Sequence, residues 1–113
     1  MDIKELTQRM HELVESKGWY AEDSKRPQTP RNLAVSLSIE AAEILEHFQF
    51  SEDFKDRDEL ASELADVTLY LLQLASVTGI DLEQAVLKKL EVNQSREWDQ
   101  EESKVEGRKS ADL

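Results

Sequence analysis

Four acids stand in two pairs, Glu40 with Glu43 and Glu63 with Asp66, each pair three residues apart. At that spacing two helical residues share a face, with Cβ atoms roughly 5–6 Å apart. Both pairs are hemmed by apolar neighbours: Ile39, Ala41, Ala42, Ile44 and Leu45 about the first, Leu60, Leu64, Ala65 and Val67 about the second. Solvated acids do not usually interrupt the most apolar stretches of a chain. Four carboxylates in one partly buried site repel; at an effective dielectric near 20 and about 6 Å, each close pair costs on the order of 3 kcal/mol. A proton or a bound cation relieves that cost. All-oxygen donors favour Mg²⁺ or Mn²⁺ over zinc or copper. One such pair in an acidic helical chain would read as a wetted helix face. Two pairs on successive helices, both inside apolar runs, point to a metal.

A di-iron site is the other metal that a helical chain builds from carboxylates, and it needs Glu-x-x-His motifs from two helices. The only histidines are His11 and His47, and neither follows a Glu by three. Iron is therefore set aside. His47 follows Glu43 by four and shares its face, but a histidine there is expected to be an ordinary surface residue.

The elements that must position these acids are helices throughout, because no window alternates apolar and polar residues as a half-buried strand would. The first is expected from about Ile3 to Lys17, where Ile3, Leu6, Met10, Leu13 and Val14 make one apolar stripe. Gly18 is placed to end it. Tyr20 to Thr29 is polar, carries Pro27 and reads as a loop. Thr29 and Pro30 open a second helix as N-cap and first helical residue, and it should reach about Gln49. After a short connection, Asp56 and Glu59 form a capping-box-like start for a third helix, which lasts until Gly79. Asp81 is expected to cap a fourth, running to about Trp98. The short link makes the second and third helices antiparallel neighbours, so that the two acid pairs face one another.

The third helix also speaks to assembly. Leu60, Leu64, Val67, Leu69, Leu71, Leu72, Leu74 and Val77 surround it, and a helix apolar on all sides must be buried on all sides. Four short helices can hardly do that alone. A second subunit is expected to supply the missing wall.

With 113 residues the chain fits one domain, 1–98, followed by a charged tail at 99–113 expected to be mobile. The formal charge of −11 argues against a nucleic-acid backbone as partner. It allows a phosphorylated small molecule if cations stand between phosphates and acids. No cysteine is present, so a reducing compartment suits the chain. Neither a signal peptide nor a membrane span is evident, and the expectation is a cytoplasmic protein with no membrane partner.

The stretch from Thr29-Pro-Arg-Asn through Glu40-Ala-Ala-Glu43 to Phe48-Gln49, followed by Glu63-Leu-Ala-Asp66, resembles the MazG-like nucleotide pyrophosphohydrolases, above all the short single-domain members. The spacing Lys89-x-x-x-Asn93-x-x-Arg96 extends the likeness, which covers about residues 1–98. It implies an all-α, four-helix MazG-like bundle completed by oligomerisation, as a dimer or dimer of dimers. It implies Mg²⁺-dependent hydrolysis of a nucleoside triphosphate at the α-phosphorus, on deoxynucleotides and in the clearance of unwanted nucleotides. Glu40, Glu43, Glu63 and Asp66 would then be the metal ligands, with one of them, Glu43 the candidate, serving as base instead.

Lys89, Asn93 and Arg96 follow Val86 at i+3, i+7 and i+10, polar groups continuing an inward stripe, and phosphates would answer their charge. Trp19, Phe50 and Tyr70 match positions where the family places aromatics against the base, and a stacked aromatic contributes about 1–3 kcal/mol. Position 50 departs from relatives that carry Trp there, and the segment between Trp19 and Pro30 is longer than in the shortest members. The competing expectation, from another class, is a helical interaction module whose acids hold a structural or regulatory cation without turnover.

Overall fold

The structure is a computed structural model that describes residues 1–96. Among these the chain is helical, with α1 (Ile3–Ser16), α2 (Pro30–Glu46), α3 (Arg57–Val77) and α4 (Leu82–Gln94), and no strand. It divides into two units, Met1–Leu82 and a second that begins at Glu83. The expected boundary at 98, Trp98 and the tail 99–113 lie outside the described residues.

The starts of α1, α2 and α3 each have a cap. Asp2 accepts from the Glu5 amide at 2.8 Å, Thr29 from the Asn32 amide at 3.1 Å and Asp56 from the Glu59 amide at 3.0 Å, answering amides that have no partner in a first turn. Pro30 occupies the first turn of α2, where its missing N–H costs nothing. Gly18 and Gly79 end α1 and α3 at φ +72° and +74°. Around each glycine two amides fold back on the last turn: Gly18 to Glu15 and Trp19 to Val14, then Gly79 to Ser76 and Ile80 to Ala75. This is the Schellman closure, which needs a residue with positive φ at its centre. It has a consequence for function, since it turns Trp19 back toward α1.

Within the first unit α3 packs against both α1 and α2. Met10, Val14 and Leu72 form the buried cluster, with Ile3, Trp19 and Leu82 around it. The α1 stripe is thus covered along one edge only; Leu6 and Leu13 remain exposed. Two contacts fix α2 and α3 as antiparallel. His47, just past the end of α2, meets Glu63 in the first half of α3, while Gln28, just before α2, meets Gln73 in its second half.

One chain leaves much of α3 uncovered, and whether a second subunit supplies the missing wall is taken up below as a proposal. Of its large apolar residues only Leu72 is buried, and Leu64, Leu69, Leu71 and Val77 are exposed. Among the described residues of the first unit, α1 and α2 cover two sides of the cylinder and no more. By length and composition alone α3 is also apolar enough to cross a membrane, although no span is evident in the sequence. In the second unit, α4 has no buried residue. Val86, at the head of the stripe expected to face inward, is 47% exposed.

Candidate functional site

The antiparallel pairing of α2 and α3 sets two stripes against each other. Leu33, Ser36, Glu40, Glu43 and His47 recur along α2 and its end at steps of three and four; Glu63, Asp66, Tyr70 and Gln73 do so along α3. All but Leu33 and Gln73 are half-buried, and those two are buried. The acids occupy the middle of this seam, with a cavity at either end.

Glu40 feels the charge of the other three acids. Its carboxyl is held above the usual carboxylate range, first by loss of solvent, then by a hydrogen bond with Glu43 and by the charges of Glu43, Asp66 and Glu63. Burial and like charges both disfavour the ionised form. At the same time, among the described residues no three His, Asp or Glu side chains close to the spacing of a metal site. The acids are gathered in one seam but not drawn onto a common point.

His47 is not the surface residue expected from its sequence. Its side chain is 11% exposed, and Nε2 donates to Glu63 Oε2 at 2.5 Å. It thereby orients one of the four acids. Phe48 packs against both His47 and Phe54. The first cavity, of about 570 Å³, opens here and is strongly acidic, with Glu43, Glu46, Asp53, Asp56, Glu59 and Glu63 joined by His47, Lys55, Ser51 and Phe50. Phe50 is 92% exposed.

The second cavity, of about 280 Å³, lies at the other end. Trp19, Tyr70, Gln73, Gln28, Asn32, Ser36 and Leu33 line it together with Lys25, Arg26 and Pro27. Trp19 and Tyr70 are therefore brought together as expected, whereas Phe50 belongs to the acidic cavity. One face of the Trp19 indole is taken, because the Arg26 guanidinium stands 5.5 Å above its ring centre. Tyr70 lies four residues beyond Asp66, one helical turn or about 6 Å along the axis.

A chain of polar groups holds the loop that carries this cavity. Gln28 Nε2 donates to the Arg26 carbonyl, and Gln73 Nε2 donates to Gln28 Oε1 at 2.7 Å and to the Tyr20 hydroxyl at 3.3 Å. Tyr20 meets His11 Nδ1 at 2.6 Å, and His11 Nε2 meets Ser76 Oγ at 2.7 Å. Burial chiefly, with Glu15 adding to it against the opposing bond from Gln73, raises the Tyr20 phenol above its ordinary range, so it stays protonated at neutral pH. Asn32 donates its side-chain amide to the Pro27 carbonyl at 2.9 Å.

Lys89, Asn93 and Arg96 lie on and just past α4, in the second unit, where Lys89 is exposed and Asn93 and Arg96 are half-buried. Sequence reasoning set His47 aside as a surface residue and passed over Gln28 and Gln73. The signal for Gln73 was present: it interrupts the run Leu71-Leu72-Gln73-Leu74 just as the acids interrupt theirs.

Comparison with known proteins fits this seam. The MazG-like family model matches residues 35–113. The chain is 40% identical over 76 residues to mouse dCTP pyrophosphatase 1 and 38% identical over 76 residues to the human protein of that name. Each match covers 59% of this chain and 45% of the relative, so the chain spans under half the length of these proteins. The crystal structure of a pyrophosphatase from Archaeoglobus fulgidus superimposes with a TM-score of 0.64 at 38% identity, over 80% of this chain and 87% of that one. A helical chain with paired acids along one seam, matched by the family model over most of its length and by a solved relative over most of theirs both, belongs to the MazG-like family.

Proposed function

We propose that the chain is a nucleoside triphosphate pyrophosphohydrolase, which cleaves between the α- and β-phosphates to release a monophosphate and pyrophosphate. The observation that carries this reading is the crowding of Glu40 by Glu43, Glu63 and Asp66, with a cavity containing Trp19 and Tyr70 one turn farther along the seam. The dCTP pyrophosphatases among its relatives and the archaeal pyrophosphatase support the same chemistry. Their names make deoxynucleoside triphosphates, dCTP first, the substrates to try.

The donor set fits a hard divalent cation. A carboxyl whose proton affinity is raised by lost solvent and by three neighbouring acids is a group that a cation would bind in the proton's place. Glu40, Glu43, Glu63 and Asp66 would hold Mg²⁺, or Mn²⁺ in its stead, drawn together from their present spread. Bound there, the cation would neutralise phosphate charge and make water acidic enough to attack. His47 fixes the orientation of Glu63. Whichever acid remains outside the cation's shell, Glu43 being the candidate, would take the proton from water. Trp19 and Tyr70 would hold the base, while Lys89, Asn93 and Arg96 would bind phosphate oxygens by charge-assisted hydrogen bonds. Phe50 would then guard the acidic end of the seam rather than the base. We propose further that the chain works as a homo-oligomer, since Val35, Ile39, Leu45, Leu64 and Leu71 are all exposed on α2 and α3.

A panel of deoxynucleoside and nucleoside triphosphates with Mg²⁺, assayed separately for pyrophosphate and orthophosphate, tests the reading. Pyrophosphate equal in amount to monophosphate is expected, with none formed when the cation is chelated. Orthophosphate as the first product, or no turnover of any triphosphate, would overturn it.

A further inference from the structure

We propose that Gln73 reads the base in the Trp19–Tyr70 cavity: its side-chain oxygen accepts a hydrogen bond from an exocyclic amino group, so that the cavity takes a cytosine-type base and turns away uracil and thymine. The inference rests on the nucleotide reading of this seam and names the group that selects within it.

Gln73 is only 3% exposed, yet it lines the cavity. A buried amide has two donor hydrogens and one acceptor oxygen to satisfy. Both hydrogens on Nε2 are committed, one to Gln28 Oε1 at 2.7 Å and one to the Tyr20 hydroxyl at 3.3 Å. Among the described residues no donor is bonded to Gln73 Oε1. The sense of the amide is not arbitrary. Gln28 Nε2 donates to the Arg26 backbone carbonyl, which can only accept. That bond turns Gln28 Oε1 toward Gln73, and Gln73 must answer with its nitrogen. A backbone carbonyl two side chains away thus sets which end of Gln73 remains for a ligand.

The remaining end is an acceptor on a buried side chain that is held from behind. Cytosine carries an amino group where uracil and thymine carry oxygen. The amino group completes the Gln73 bond, whereas the oxygen would face Oε1 acceptor to acceptor. A site built around a fixed hydrogen-bonding group rejects the analogue that cannot pair with it far better than an apolar wall can. Tyr70, three residues before Gln73 on the same stripe, supplies a ring against which the base can lie. The cavity, about 280 Å³, lies just under the range for small-molecule sites, a size for a base and little more.

The test measures binding of deoxycytidine and deoxyuridine monophosphates by calorimetry and by NMR of the side-chain amides, in metal-free buffer, so that no turnover is needed. The wild-type chain is expected to prefer the cytosine nucleotide by roughly tenfold or more, with the Gln73 amide signals shifting. Gln73→Met keeps the volume but removes the acceptor and should bring the ratio close to one. Gln28→Met leaves Gln73 in place but frees it to turn, and should raise affinity for the uracil nucleotide. Should Gln73→Met fail to fold, the wild-type chain with a 2-pyrimidinone nucleotide, which lacks the amino group, decides the matter. Equal affinities in the wild-type chain, no binding of either nucleotide, or an unchanged ratio in Gln73→Met would overturn the inference. Selective binding without turnover of any triphosphate would overturn the pyrophosphohydrolase reading alone. Turnover indifferent to the base would overturn this inference alone.

Discussion

Glu40 is the residue whose environment says most about the seam. Its folded carboxyl binds a proton more tightly than the unfolded chain does, and this ties stability to pH. Below the ordinary carboxylate value of 4.5 both states carry the proton, and the folded chain has its full stability. As pH rises, the unfolded chain releases the proton first, so stability declines until pH passes the raised folded value. In metal-free buffer the wild-type chain should therefore lose stability across that window, and Glu40→Gln should lose less. Urea unfolding of both proteins at a series of pH values checks this. Identical pH dependences would mean that the acids do not crowd Glu40.

The acid pairs were legible in the sequence because polar residues inside apolar runs are rarely accidental. Gln73 carried the same signal and was read as part of a hydrophobic helix. His47 was misplaced for a different reason. Its partner Glu63 is sixteen residues away on another helix, and local spacing cannot show which side chain meets it.

At the scale of elements, the ends of helices were the most legible feature. Thr29, Asp56, Gly18 and Gly79 each do locally what their types permit, and the helix starts fall within a residue or so of the expected ones. The ends of α2 and α4 fall short of Gln49 and Trp98, at Glu46 and Gln94. There apolar periodicity continues without a glycine to mark the stop. Gly79 allows a clean measurement, because a Cβ added there would meet nothing within 4 Å. Gly79→Ala therefore isolates the cost of positive φ, about 1–2 kcal/mol, and chemical denaturation should show a loss of that size. Stability unchanged within error would remove the Schellman closure from the list of what holds α3 in place. Asp56→Ala, at the other end of the same helix, should cost about 1 kcal/mol.

For the whole molecule, the informative surface is the apolar one. Leu45 is 68% exposed on α2, and most of the large residues of α3 lie open in the single chain. The sequence pointed to this through the all-round apolar character of α3, though only the structure shows which residues α1 and α2 leave uncovered. Light scattering after size exclusion is expected to give a small whole-number multiple, above one, of the 13.0 kDa chain mass. Leu45→Glu should shift that mass toward the monomer while the helical signal is kept. A wild-type chain monomeric at micromolar concentration would contradict the proposed assembly.

The position of bond cleavage tests the proposed chemistry most directly. If water attacks the α-phosphorus, hydrolysis of dCTP in heavy-oxygen water should leave the label in the monophosphate and none in the pyrophosphate. Mass spectrometry of the two products after a single turnover reads this without any variant or kinetic model. Label in the pyrophosphate would place attack at the β-phosphorus, and label in orthophosphate would place it at the γ-phosphorus; either result would contradict the reading of the seam.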